Sequence, residues 1–202
     1  MIDHILLDVI GALRGAFESA LLEQQAVEER FQVDVFLGDL SFETSYSLPG
    51  ESSPARVRAD LSLDWPTWSQ SAYRSWSIGE PPAESPELIV ELAFRLQNLV
   101  EPPAHDKVMA VLDEKSPELG SEQLERGAPT VEQTFAAREE ESVAALEVSY
   151  QGSLRLDDSL LEDPSKLGPE VDALARWVAS ALVRLADLEL PTRPGEEDVH
   201  QS

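Results

Sequence analysis

Three histidines, thirty-nine carboxylates and no cysteine delimit the side-chain chemistry open to this chain. Without cysteine there is no disulfide, no thiolate metal site and no thiol nucleophile. The histidines are His4, His105 and His200, and only His105 has a carboxylate beside it, Asp106. A carboxylate that orients an imidazole is half of a general-base arrangement. Adjacent residues seldom face each other in that geometry, however, and no Gly-x-Ser-x-Gly elbow accompanies them. An exposed loop histidine is the simpler reading. Asp157, Asp158, Glu162 and Asp163 fall in one short stretch. A hard divalent cation needs several oxygens converging at about 2.3–2.6 Å, and this stretch lacks the alternating spacing and turn glycine of an EF-hand loop. It reads as a solvated acidic loop, and Glu139, Glu140 and Glu141 read as an exposed helix face. Carboxylates are so numerous that no spacing selects a pair for glycoside hydrolysis. The ten glycines are scattered and form no phosphate-cradling motif. The sequence therefore assigns no catalytic residue, no metal ligands and no cofactor.

One local concentration stands apart. Residues 65–76 hold Trp65, Trp68, Tyr73, Arg74 and Trp76, three of the four tryptophans of the chain. Such rings supply large buried areas with a polar handle, and they dominate protein–protein contact centres. Three uses are open: a plug sealing one end of a sheet, a protein contact, or a platform for a sugar or other small ligand, with Arg74 able to stack on a ring. These five residues and the fourth tryptophan, Trp177, are the candidate partner-contact residues.

Charge narrows the partners. The net charge of −24 is spread over both halves of the chain. Phosphate neutralisation requires a basic face, so nucleic acid is excluded as a partner, and an anionic membrane surface is disfavoured in the same way. A basic protein partner is attracted, with salt-dependent steering. There is no basic start followed by an apolar run at the N-terminus, and no stretch of 18 apolar residues, so the expectation is a cytoplasmic protein without membrane insertion.

The elements that must carry these residues follow from hydrophobic period. Apolar residues recur at helical spacing from Ile2 to Leu21, which predicts a helix over 3–29. The period then changes to two over 31–37 and 40–48, joined at Gly38-Asp39 by a hairpin turn or a bulge, and again over 57–65. Residues 66–86 read as irregular or briefly helical. Five alternating apolar residues from Leu88 to Leu96 favour a strand over 87–97 in preference to a helix. Prolines at 102, 103, 117 and 129 punctuate short helices at 104–114, 120–126 and 130–142. A strand follows over 146–156, bent or turned at Gly152, and then an acidic loop over 157–169. Pro169, Glu170 and Asp172 open a second long helix over 169–189. Residues 191–202 read as a disordered acidic tail.

These expectations describe one α+β domain over 1–190, with a potential subdivision near residue 100. A mostly antiparallel sheet of five or six strands is packed by long terminal helices, which share one face or meet across it. A chain of this size buries about 70% of its unfolded surface and needs no covalent staples. The leading functional expectation is a non-enzymatic protein-interaction module: an adaptor, an assembly or secretion chaperone, or a small structural subunit of a bacterial-type complex. The C-terminal helix is apolar beyond one stripe, which suits a homodimer interface. Two alternatives stand beside it. One is a hydrolytic or ligand-binding protein using acidic residues in a sheet–helix cleft. The other is an acidic decoy that mimics DNA.

Overall fold

Alternating side chains need a cover on one side only, and the chain supplies that cover from its two ends. The computed structural model describes residues 4–23, 27–36, 38–48, 55–135 and 142–192. Helix α1 (His4–Glu23) is followed by strands β1 (Val27–Phe36), β2 (Asp39–Ser47) and β3 (Val57–Trp65), helix α2 (Thr67–Ser77) and strand β4 (Glu87–Leu99). Helix α3 (His105–Val111) leads into β5 (Lys115–Leu119), β6 (Glu122–Arg126), β7 (Thr130–Phe135) and β8 (Ser142–Arg155). Helix α4 (Asp158–Glu162), a 3-10 turn (Pro164–Leu167) and helix α5 (Gly168–Ala186) close the described chain. The result is an α+β fold with an eight-stranded sheet in the order β1-β2-β3-β4-β8-β6-β5, with β7 also on β8 and every pairing antiparallel.

Register aligns the apolar residues into rows. Thr44 faces Leu61, Leu61 faces Leu92 and Leu92 faces Tyr150. All of these are buried on one side of the sheet. Helices α1 and α5 pack on that side and against each other. Phe17 of α1 stacks on Tyr46 of β2 at 5.0 Å, and Trp177 of α5 meets Phe94 and Tyr150 edge-on at 5.7 and 5.0 Å. The first helix thus lies over β2 and the last over β4 and β8. The other side of the sheet is polar. On it Arg58 and Arg95 both reach Asp60, and Arg95 continues to Glu147, linking β3, β4 and β8.

Several expectations are corrected. Eight strands replace the expected five or six, because 115–119 is an additional strand and 122–126 and 130–135 are strands where helices were expected. Glu122–Arg126 has good helix formers, but Gly120 reverses the chain at φ +67 and the edge of β8 receives the returning segment. Glu139, Glu140 and Glu141 lie outside the described residues. The first helix ends at Glu23, since the chain from Val27 pairs with β2. The segment 157–169 is capped helix and not loop: Asp157 accepts the N–H of Leu160 at 2.9 Å, and Asp163 that of Ser165 at 3.2 Å. β8 runs through Gly152 in unbroken register, and a Cβ there would come 2.9 Å from Leu124 Cδ2. The break in pairing lies instead in β4, where Asn98 adopts φ 56 between Leu96 and Leu99. Pro191 and Thr192 pair with Val100 and Leu99, extending the ordered chain past α5. Residues 193–202, with His200, lie outside the described residues.

Candidate functional site

The aromatic window is built on a buried serine. Trp65 ends β3 on the apolar side, and Pro66 turns the chain into α2. Ser69 Oγ accepts the indole N–H of Trp65 at 3.0 Å and the N–H of Glu87 at 2.8 Å, and donates to the Glu87 carbonyl at 2.7 Å. Gln70, also buried, donates from Nε2 to the carbonyls of Gly38 and Trp65, both at 2.9 Å. Asp39 then caps the helix from the neighbouring hairpin, accepting the N–H and the hydroxyl of Thr67 at 2.6 and 2.7 Å. Those bonds, the hydroxyl first, hold the Asp39 carboxyl below its usual range. The β1–β2 hairpin tip, the end of β3 and the head of α2 are therefore one locked unit.

The candidate contact residues take different stations around it. Trp65 and Tyr73 are buried. Trp76 is half-buried, stacks on Tyr73 at 5.9 Å and donates from Nε1 to Asp158 at 3.0 Å. Arg74 is exposed and reaches only Gln70, at 3.4 Å. Trp68 is 43% exposed at the head of α2. Trp177 belongs elsewhere: its partner Phe94 lies opposite Ala59, about 20 Å along β3 from Trp65 at the usual strand rise.

Around Trp177 a second cluster ties the 105–126 segment to the core. Asp113 accepts the Trp177 indole N–H at 2.8 Å and an Arg184 N–H at 3.3 Å, and its backbone carbonyl accepts the Tyr150 hydroxyl at 2.6 Å. Arg126 donates to the carbonyls of Met109 and Leu112. The indole bond, aided by Arg184 and opposed by burial, lowers the Asp113 pKa, while burial pushes Tyr150 up to about 12. A phenol so shifted keeps its proton at neutral pH, and the aspartate is already bonded. Chemically the cluster is a clamp. No residue of it except Trp177 stood out in the sequence, because its polar groups meet only through long-range packing.

The other chemical candidates stay apart. His105 opens α3 exposed, with Asp106 beside it, and makes no hydrogen bond among the described residues. No group of three metal-ligating side chains occurs among the described residues. The space between sheet and helices is filled by apolar side chains. A polar, open depression of about 450 Å³ lies instead on the β5–β6 hairpin, lined by Glu118, Glu122, Gln123, Gln151 and the Lys115–Glu125 ion pair.

A further exposed feature among the described residues is the β1 edge. Val33 pairs with Phe42 and Val35 with Leu40, so both valines stand on the helix-covered side of the sheet. Phe42 is fully buried there, yet Val33 is 47% and Val35 68% exposed. The cover stops one strand short. Trp68, next to the Thr67 that Asp39 caps, is exposed at this same hairpin end. Other exposed apolar residues are scattered: Leu7 and Leu22 on α1, Ile78 after α2, Ile89 on the open side of β4 opposite Asp64, and Val100 after β4. Among the described residues no helix is long and apolar enough to cross a membrane. Comparison with protein-family models, with curated proteins and with solved structures finds no match.

Proposed function

We propose that this chain is a protein-interaction module, in the class of adaptors, assembly or secretion chaperones and small structural subunits, and that its contact surface is the hairpin end of the sheet. The observation that carries this reading is the pair Val33 and Val35. They continue the apolar side of the sheet beyond its helical cover, on an edge strand of a strongly acidic protein. Burying what remains exposed of Val33 (47%) and Val35 (68%) contributes about half of the roughly 1.5–3 kcal/mol that full burial of each would. Trp68 adds an aromatic ring of the type that anchors protein contacts. The locked hairpin–α2 unit presents these groups from rigid elements, which lowers the ordering cost of binding.

The test is affinity capture from native lysate at low and high salt, with the wild type and with Val33→Ser/Val35→Ser, both checked for unchanged thermal stability. A partner held in stoichiometric amount by the wild type and lost by the double variant is expected. Equal capture by both proteins, or no partner at either salt, overturns the reading.

A further inference from the structure

We infer that the β1 edge binds by strand addition, and that its occupant is an extended segment in which apolar and basic residues alternate. The inference rests on the interaction-module reading and names the surface, the geometry and the chemistry of the partner.

The backbone gives the geometry. Phe36 pairs with Asp39, the pair that closes the β1–β2 hairpin. The closing pair of such a hairpin is hydrogen-bonded, and hydrogen-bonded and non-hydrogen-bonded pairs alternate from it. Asp34–Ser41 is then the next hydrogen-bonded pair, while Val35–Leu40 and Val33–Phe42 are not. The N–H and C=O groups of Val33 and Val35 therefore point away from β2. β1 ends the strand order, and among the described residues no strand pairs with its outer side. The two residues that expose apolar side chains are thus the same two that offer backbone groups to a further strand. Edge strands are usually blunted against such pairing. Here a bulge between Glu28 and Arg30 interrupts the other end of β1, and the Val33–Val35 stretch stays regular.

The charge gives the occupant. A strand laid on β1 sends alternate side chains to the two sides of the sheet. On the helix side they would cover Val33 and Val35, which calls for apolar residues. On the open side they would stand beside Asp34, in a field set by Glu43, Asp64 and Glu91. Register places these four in the two adjacent rows at the hairpin end: Asp34–Ser41–Asp64 and Gln32–Glu43–Ser62–Glu91. Among the described residues none of the four has a cationic partner: Arg58 and Arg95 are engaged further along the strands with Asp60 and Glu147, and Arg155, opposite Glu87, lies 3.8 Å from Glu122. Basic residues on the incoming strand would stand against Asp34 and, one strand further in, Glu43; Asp64 and Glu91, about 14 and 19 Å away at the usual strand spacing, contribute only at low salt. A second copy of this chain is the wrong occupant, since pairing β1 with β1 brings Asp34 and Glu43 toward their equivalents between two molecules each of charge −24.

The probe is a fluorescent peptide of alternating valine and lysine, with an alternating valine–glutamate peptide as control, titrated against the full chain. Expected are saturable, salt-sensitive binding of the basic peptide alone and slowed amide exchange at Val33 and Val35. N-methylating every second peptide nitrogen, which removes the donors of one strand edge, should weaken binding at least about tenfold in one of its two registers. Val35→Pro should do the same with the fold intact, because its N–H serves no ladder bond. Equal binding of the acidic peptide overturns the inference, as do unaffected binding by both N-methylated forms, protection elsewhere than β1, or no binding of the basic peptide. A native partner that is lost by Val33→Ser/Val35→Ser but retained by Val35→Pro would leave the interaction module standing and remove strand addition.

Discussion

Replacing Ser69 by alanine tests how the hairpin and α2 are held together. The change removes one oxygen from a fully buried position. It leaves the indole N–H of Trp65 and the N–H and C=O of Glu87 without the partner each now has. An orphaned buried group costs about 1–3 kcal/mol. Trp65 is itself fully buried, so its donor has no water to turn to, whereas Glu87 is half-buried and recovers part of its loss from solvent. The sum is roughly 2–5 kcal/mol, a large fraction of the 5–15 kcal/mol typical of a domain. At about 2–4 °C per kcal/mol for a chain of this length, the melting temperature should fall by roughly 4–20 °C. Circular dichroism measures the loss, and tryptophan fluorescence reports whether the Trp65 environment loosens first. The control is Ser71→Ala: its hydroxyl makes a similar bond to the Thr67 carbonyl at 2.9 Å, but exposed, and it should change stability by less than about 0.5 kcal/mol. If Ser69→Ala melts within the error of Ser71→Ala, the serine is not what joins β3, α2 and β4.

Other substitutions probe other links. Phe17→Ala should cost about 3–5 kcal/mol in denaturant unfolding, since the ring is fully buried against Tyr46. Gly152→Val should destabilise by about 1–3 kcal/mol, because its Cβ would come 2.9 Å from Leu124 Cδ2 and 3.4 Å from Leu124 Cα. The lowered pKa of Asp113 means that its contribution is present above the unfolded value of about 3.9 and is lost as pH falls through the folded one; the stability gap between wild type and Asp113→Asn should close in acid. Tyr150 has the opposite sense. Its pKa rises from 10.0 to about 12 on folding, so the unfolded chain loses the proton first and stability falls between those values, a loss that Tyr150→Phe should remove in unfolding experiments at alkaline pH.

The period of two was the most reliable guide to the fold. It located β2, β3 and β4, whose inward residues form continuous buried rows. It did not find β5, β6 and β7. These strands are short, and Glu122–Arg126 has one inward apolar residue, Leu124. Their conformation comes from pairing with β8, distant in sequence, which local pattern does not encode. Asp157 and Asp163, counted in the sequence as loop acids, are cap acceptors. Polar residues on the inward side of α2 were equally hidden: Ser69 and Gln70 break the apolar stripe because their partners are a β3 indole, a β4 backbone and a hairpin carbonyl. Of the proposed contact surface, the aromatic window contributes Trp68, which lies at the hairpin end of the sheet, whereas Val33 and Val35 looked like any inward residues. Only the sheet order shows that β1 is an edge.

Simple dimensions explain why that edge is left open. Strands lie about 4.8 Å apart, so the five from β1 through β2, β3 and β4 to β8 span about 24 Å including their half-widths. Two helices side by side cover about 20 Å. One strand's width must go uncovered unless another element fills it. On the β8 side the helix α5 is extended by contacts with β5 and α3, and the Asp113 clamp fixes that arrangement through Trp177 and Arg184. The shortfall is thereby moved to β1, where Val33 and Val35 stay exposed while Phe17 of α1 stacks on Tyr46 of β2. Covering the edge from within would require a third helix. A single added strand would do it from outside, supplying the backbone partners that a helix lacks.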